Sequence, residues 1–140
     1  MPSVSSAAGY SGTPLAGKLG YKSGTRAHLA GGPADYLGLL EPLPEGVVFD
    51  AEPGPQTDLA HIFVSEREQL ASQLVSLRGQ LRADAVLWVS WPKKSSRVPS
   101  TVVEDTVREL ALPLGWVDVK VCAVTDTWSG LKLVVRRALR

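Results

Sequence analysis

The amino-acid sequence predicts a small α/β domain in which helices cover both faces of a mostly parallel sheet. Several predicted strands are apolar on both faces, which is typical of strands buried between two layers of helix. These strands alternate with amphipathic helices, the arrangement that produces parallel neighbours in a sheet. The last two strands are too closely linked for a crossover helix, so we expect them to form an antiparallel hairpin at one edge.

Composition limits the classes of protein to be considered. The chain has 140 residues and a formal net charge of +1, which disfavours a broad surface for nucleic acid. Its single cysteine excludes an internal disulfide and cannot alone form a zinc site. The N-terminal segment lacks the basic start and apolar core of a signal peptide, and no apolar run approaches the roughly 20 residues of a membrane span. We expect a soluble, cytoplasmic protein without metal, in which residues 1–9 form a flexible tail and residues 10–140 a single domain.

Short elements, broken by proline and glycine, make up the first half of the chain. Thr13 is a predicted N-cap for a helix over Pro14–Leu19, and Gly20 ends that helix. The elements predicted next are strand Thr25–Ala30, helix Ala34–Leu40, strand Val47–Asp50 and strand Leu59–Val64.

Two capping-box patterns mark the longer helices of the second half. Ser65 with Glu68 begins a helix that carries one apolar stripe, and Thr101 with Glu104 begins another. The stripe of the first helix consists of Leu70, Leu74, Leu77 and Leu81. The remaining predicted elements are strand Ala85–Trp91, strand Val117–Val124, a tight turn over Asp126–Gly130 and strand Leu131–Arg136.

After the first helix the predicted order is therefore β-α-β-β-α-β-α-β-β. It indicates a small Rossmann-like three-layer sandwich whose sheet ends in an antiparallel edge hairpin. In outline this is close to the methyltransferase fold, whose sheet also finishes with a reversed strand. The chain is short for that fold, has no glycine-rich loop and lacks a strand after its second one.

The fold places a candidate ligand site at one edge of the sheet, because open parallel sheets bind ligands beyond the carboxyl ends of their strands. The candidate binding residues are those that end or follow the predicted strands: Gly31, Gly32, Asp50, Trp91, Lys93, Lys94, Ser96, Arg97, Asp126, Trp128 and Ser129. No catalytic residue can be assigned among them.

The segment after the fourth strand has the composition of an anion site. Lys93, Lys94 and Arg97 bring positive charge beside serine hydroxyls, and the helix predicted near Thr101 adds N–H groups and the positive end of its dipole. A phosphate or carboxylate is the ligand that these groups favour. The alternative is a solvated loop that keeps the strand end soluble.

The aromatic candidates allow two roles. Trp91 at a strand exit and Trp128 in the predicted turn are placed to stack on a base or ring, or to pack across the end of the sheet. Trp88 lies three residues before Trp91, so it points to the opposite face and belongs to the core.

Four other residues have weaker signals. The glycine pair after the first strand lacks the G-x-G-x-x-G dinucleotide fingerprint, and Asp50 stands where a ribose-binding acid sits in nucleotide-binding sheets. His28 and His61 lie in strands expected to be neighbours, so they could face each other, but no third metal ligand is evident and satisfied core histidines are the commoner case. Cys122 is expected to be a buried small hydrophobe.

A set of segments resembles a known group of proteins. The resemblance rests on four segments: GYSGTPLAGKLG, LPEGV, LWVSWPKKSSR and VDVKVCAVTDTWSGLKLV. Through them the chain resembles an uncharacterised bacterial family, the domain-of-unknown-function family numbered 3052. The resemblance runs from about Gly9 to Arg137 and implies no activity. It implies that Tyr10–Leu15, Trp91–Lys94 and Trp128–Lys132 are the segments that members share. LAGGPADY departs from the asparagine- or alanine-containing turn typical of such sequences, which leaves the role of its glycines open.

Three functional hypotheses follow. The first is a binding or regulatory module that holds a small anionic or nucleotide-like ligand, or a partner, at the carboxyl edge. The absence of a recognisable nucleophile, metal set or acid–base pair favours it over an enzyme. The second is a methyltransferase that depends on S-adenosylmethionine. The third is a structural homodimer, because an edge strand as apolar as Leu131–Val135 needs a cover.

Overall fold

A computed structural model describes residues 14–140 and confirms the predicted fold class. The four α-helices of this part of the chain are α1 Leu15–Leu19, α2 Tyr36–Leu39, α3 Arg67–Gln80 and α4 Glu104–Ala111. Its strands are β1 Arg26–Ala30, β2 Val48–Phe49, β3 Leu59–Phe63, β4 Val86–Pro92, β5 Trp116–Ala123 and β6 Trp128–Val135. Short 3-10 turns cover Lys94–Ser96, Leu112–Leu114 and Arg137–Leu139. The predicted N-terminal tail and the Thr13 cap lie outside the described residues.

All six strands form one sheet in the order β2-β1-β3-β4-β6-β5. The β2, β1, β3 and β4 strands are mutually parallel, and β6 lies antiparallel between β4 and β5. The predicted antiparallel hairpin is therefore present, but its second strand is internal. The expectation that Leu131–Val135 is an edge strand is wrong, because β6 folds back onto β4 and leaves β5 at the edge.

The β5 edge carries both charged and apolar exposed side chains, the latter being Val119 and Val121. Its exposed residues include Asp118 and Lys120, and a register shift between these two interrupts the β5–β6 ladder. Charge and irregular pairing both hinder edge-to-edge association. The homodimer hypothesis loses Leu131–Val135 as its edge strand, but Val119 and Val121 of the actual edge strand are exposed, so the hypothesis stays a prediction.

The start of β6 also differs from the prediction. Trp128, Ser129 and Gly130 lie within the strand and pair with the last residues of β4, whereas the sequence placed them in a tight turn. A Cβ atom on Gly130 would lie 3.2 Å from the Trp88 ring. In the sequence Gly130 indicated a turn. In the structure its lack of a side chain lets β6 pass close to the buried ring of Trp88.

Two apolar cores lie on opposite faces of the sheet. The α3 and α4 side contains the predicted leucine stripe, and the α1 and α2 side contains Trp88, whose Nε1–H donates to the carbonyl of Leu19 at 2.7 Å. Trp88 is fully buried, as predicted. No helix among residues 14–140 is long and apolar enough to cross a membrane.

The predicted capping box of α3 does not form. The helix begins after Glu66, and its first N–H group, on Arg67, donates to the hydroxyl of Thr101 at 2.6 Å. The Thr101 N–H in turn donates to the carbonyl of Ser65 at 2.8 Å. A residue 34 positions away thus satisfies a donor that local capping by Ser65 and Glu68 was expected to satisfy.

The second predicted capping box is displaced for the same reason. Because the Thr101 hydroxyl is bonded to α3, the α4 helix begins later, with Val103 as its N-cap. There the Val103 N–H donates to the Thr106 hydroxyl at 3.1 Å. The segment before α4 therefore joins the N-terminal ends of both helices at the carboxyl edge of the sheet.

Gly31, directly after β1, is the glycine on which this edge depends most. It has a φ of +72°, and a Cβ atom there would lie 2.8 Å from the carbonyl oxygen of Phe63 in β3. Both the left-handed backbone and the close approach require glycine.

We expect Gly31→Ala to lower the free energy of unfolding by about 2 kcal/mol or more, from backbone strain and the clash with β3. Gly79→Ala is the matched control, because a Cβ atom there meets nothing within 4 Å inside α3. It should raise stability by roughly 0.5–1 kcal/mol. Urea unfolding of both variants measures the difference, and equal stabilities would contradict this account of the turn.

Candidate functional site

The carboxyl edge of the sheet brings together the ends of β1, β3 and β4 and the start of β6. Gly31 lies against the end of β3, where Phe63 contacts Trp128 edge to face with ring centroids 5.0 Å apart. Trp128 pairs with Pro92 at the end of β4. The indole of Trp128 is half-buried, so it packs across the sheet end and keeps an exposed side. Gly32 is also half-buried, and a Cβ atom there would clash with the side chain of Leu29.

Asp50 follows β2 and is held by an arginine from the neighbouring strand. Arg26 donates from Nε and a terminal nitrogen to its two carboxylate oxygens, at 3.1 and 2.7 Å. These hydrogen bonds hold the pKa of Asp50 below its ordinary value. Asp50 is therefore an oriented carboxylate at the expected strand end.

Trp91 lies on the face opposite Trp128. Its side chain belongs to the α3 and α4 core and is only 6% exposed. The hypothesis that Trp91 stacks on a ligand is wrong for this conformation, because a buried ring offers no face to a ligand. The alternation of a strand, which correctly separated Trp88 from Trp91, also separates Trp91 from Trp128.

The basic segment Lys93–Arg97 leaves the sheet beside β6. The Lys93 N–H donates to the carbonyl of Thr127 at 2.7 Å, and the Ser96 hydroxyl donates to the carbonyl of Lys93 at 2.6 Å. Arg97 ends the 3-10 turn with a φ of +62°. Among residues 14–140, no carboxylate forms an ion pair with the lysines or the arginine of this segment. Its backbone is ordered by local bonds while its cations stay available.

The remaining candidates flank this segment. Asp126 is exposed in the β5–β6 turn. Ser129 is half-buried in β6, directly opposite Trp91 and therefore toward the α3 and α4 side of the sheet. Most of the candidates thus share the carboxyl edge but divide between two faces, whereas Asp50 ends the short β2 strand level with His28 in the middle of β1.

The two histidines do not face each other. In the parallel pairing of β1 with β3, His61 lies opposite Leu29, and His28 lies opposite Ala60. This offset of one residue turns the two rings to opposite faces of the sheet. His28 is half-buried, and its Nδ1 donates to the carbonyl of Asp50 at 3.1 Å. Among residues 14–140, no three His, Cys, Asp or Glu side chains are grouped to hold a metal ion.

His61 is a satisfied core histidine, as predicted, and it lies in a buried polar chain. Its Nδ1 bonds the hydroxyl of Tyr36 at 2.8 Å, its Nε2 bonds the hydroxyl of Ser90 at 2.8 Å, and Tyr36 bonds Tyr21 at 2.7 Å. Burial lowers the pKa of His61 to about 3 and raises the pKa of Tyr21 to about 12. At neutral pH the four side chains Tyr21, Tyr36, His61 and Ser90 are therefore all uncharged. The hydrogen bonds among them offset the cost of removing four polar groups from water.

Cys122 is a buried thiol, as predicted, and burial raises its pKa. Its Sγ donates to the carbonyl of Ala123. A thiol with a raised pKa is a poor nucleophile at neutral pH.

Methyltransferases of known structure share this fold. A Sulfolobus solfataricus protein described as a type 11 methyltransferase superposes with a TM-score of 0.62 and 13% sequence identity, over 86% of this chain and 89% of that chain. The PH0226 protein of Pyrococcus horikoshii OT3 gives 0.61 and 14%, over 88% and 87%. Aeropyrum pernix fibrillarin, with natively bound S-adenosyl-L-methionine, gives 0.51 and 14%, over 87% and 69%. The fold is that of Rossmann-like methyltransferases.

The sequence comparisons identify no family. No protein-family model matches the chain, and no curated protein matches it at a significant level. The resemblance to the family numbered 3052 therefore stays a prediction.

Because His61 is buried in its neutral form, we expect the folded protein to lose stability in mild acid. The unfolded state takes up a proton on His61 below about pH 6.5, whereas the folded state does not until about pH 3. Stability should therefore fall as the pH drops through this window, by about 2 kcal/mol between pH 7.5 and pH 5. Urea unfolding at these two pH values measures the loss above the range in which carboxylates titrate.

The half-buried His28 provides the matched control. His28→Gln should keep the pH dependence of stability, and His61→Gln should remove most of it while lowering stability at both pH values. A wild-type protein equally stable at pH 7.5 and pH 5 would show that His61 is not held neutral.

Proposed function

We propose that this chain binds S-adenosylmethionine at the carboxyl edge of its sheet and acts as a small methyltransferase. The observation that carries the proposal is the reversed strand β6 inserted between β4 and β5, in a sheet that superposes on methyltransferases over most of its length. This similarity favours the methyltransferase hypothesis over a generic binding module. Open α/β sheets bind their ligands beyond the carboxyl ends of the strands, which supports the choice of edge.

Asp50 is the residue that would receive the ribose hydroxyls of the cofactor. A carboxylate accepts about four hydrogen bonds. Arg26 supplies one bond to each oxygen of Asp50, so each oxygen retains acceptor capacity. The ion pair also orients the carboxylate, which is ionised at neutral pH, before a ligand arrives. These properties fit a group that accepts hydrogen bonds from a diol.

The turn after β1 supplies the second part of the proposed site. Gly31 is exposed and has no side chain, so a ligand can approach its backbone closely. S-Adenosylmethionine would supply an electrophilic methyl group there. The half-buried indole of Trp128 covers the end of β3 on the same side and would exclude water from the methyl acceptor.

The basic segment after β4 favours an anionic acceptor for the methyl group. The cations of this segment are Lys93, Lys94 and Arg97, and none of them forms an ion pair with a carboxylate of residues 14–140. The segment begins where β4 ends, beside the edge at which we propose that the cofactor binds. A second candidate function, anion binding without methyl transfer, rests on the same cations. Methyl transfer to an anionic substrate requires the cofactor, whereas anion binding alone does not.

Calorimetry with S-adenosylmethionine and S-adenosylhomocysteine tests the first function. We expect binding in the micromolar range, and Asp50→Asn should weaken it at least tenfold because an amide is a poorer acceptor for the ribose hydroxyls. Arg26→Gln is the matched control, since it breaks the same ion pair but keeps the carboxylate. It should weaken binding by no more than about threefold, because it removes the orientation of the carboxylate but keeps its charge and its acceptor oxygens. No heat of binding at 1 mM cofactor would refute the proposal.

The basic segment is tested by Lys93→Ala combined with Lys94→Ala. The double variant should keep the wild-type melting temperature within about 2 °C, because neither side chain is buried and neither forms an ion pair with a described residue. Its affinity for an anionic substrate or a phosphate probe at this edge should fall severalfold. A large fall in melting temperature would instead assign the lysines a structural role.

A further inference from the structure

A cavity lies at the amino end of the parallel strands, opposite the carboxyl edge. It has a volume of about 400 Å³ and is lined at the amino ends of β1, β3 and β4 by Thr25, Asp58, Leu59 and Val86. None of the proposed cofactor residues borders it. Its volume lies within the range of small-molecule sites.

Two lysines from distant parts of the chain line this cavity. Lys22 lies in the turn before β1, and Lys132 lies in β6. Lys120 of β5 is the direct cross-strand neighbour of Lys132. Among residues 14–140, none of these three lysines forms an ion pair with a carboxylate. Like charges directly opposite each other in a sheet are destabilising, so the structure maintains a repulsion that an anion would relieve.

Desolvation makes the repulsion more costly. Partial burial lowers the pKa of Lys132, and the positive charges of Lys120 and Lys22 lower it further. An anion in the cavity would reverse the last two effects by neutralising the shared field.

The two acids that line the cavity, Asp58 and Asp84, share one arginine. Arg82 donates to Asp58 at 2.5 Å and to Asp84 at 2.6 Å, and the Arg26 N–H also donates to Asp58 at 2.7 Å. Both carboxylates thus have fixed partners. The three cations of the lining, Lys22, Lys132 and Arg82, outnumber its two carboxylates, so the cavity keeps a net positive charge.

We propose that this cavity binds the phosphate group of a small molecule. Lys22 and Lys132 hold the phosphate, and Lys120 adds to the field that attracts it. The doubly charged phosphate matches these cations better than a singly charged carboxylate would. The apolar side chains of Leu19, Leu59 and Val86 line the same cavity and accept the carbon skeleton of the ligand. Neither Lys22 nor Lys132 belongs to the proposed cofactor site, and the cavity and the turn after β1 lie at opposite ends of the strands.

Titration of the full chain with inorganic phosphate at constant ionic strength, followed by two-dimensional amide NMR, tests the site. We expect saturable shifts at residues 22–25 and at Lys132, together with a rise in melting temperature. Lys132→Met should weaken phosphate binding at least tenfold. Its melting temperature without phosphate should equal or exceed that of the wild type, because the repulsion with Lys120 is removed.

Two further variants complete the design. Lys22→Met, in an exposed turn, should weaken phosphate binding in the same way, which covers a failure of Lys132→Met to fold. Arg137→Met removes one exposed cation that does not line the cavity and should leave binding unchanged. Absence of saturable shifts at 20 mM phosphate, shifts confined to Lys93–Arg97, or equal binding by wild type and both cavity variants would each overturn the proposal. None of these outcomes depends on S-adenosylmethionine.

Discussion

The antiparallel pairing of β6 with β4 is the interaction on which the rest of the structure depends. It places Gly130 beneath Trp88, and the ring of Trp88 reaches α1 through its bond to Leu19. It also carries Trp128 to the end of β4, where the indole packs on Phe63. If β6 had remained an edge strand, neither tryptophan would have these partners. One strand insertion therefore links the core, the first helix and the candidate site.

The same insertion relates the two ends of the sheet. Because β6 runs against its neighbours, its first residues lie at the carboxyl edge and its later residues approach the amino edge. Trp128 therefore belongs to the proposed cofactor site, while Lys132 lines the cavity at the other end. The hydrogen-bonded group of His61 is buried and links β3 and β4 to Tyr36 and Tyr21. It joins strands and helices in the core while the edges keep the exposed charge.

Local pattern was sufficient to predict the elements. Three patterns predicted the fold class, the order of the elements and the antiparallel hairpin. They are the leucine stripe of α3, the strands that are apolar on both faces, and the glycine and proline residues between elements. The burial of Trp88, His61 and Cys122 was also predictable, because each lies in an apolar strand. The two predicted capping boxes were wrong because they were inferred from residues close together in the sequence. The acceptor for the Arg67 N–H is Thr101, which reaches α3 only when the loop after β4 folds across the edge.

Sequence alone thus determined which segments are helix and strand and which strand ends carry polar groups. Tertiary structure decided register, face and long-range pairing. A one-residue offset between β1 and β3 separated His28 from His61, and strand alternation separated Trp91 from Trp128. Lys22 and Lys132 meet at one cavity although 110 positions separate them, and no local signal predicts that meeting. The physical reason is that periodicity is set by neighbouring residues, whereas a site is assembled by strand order.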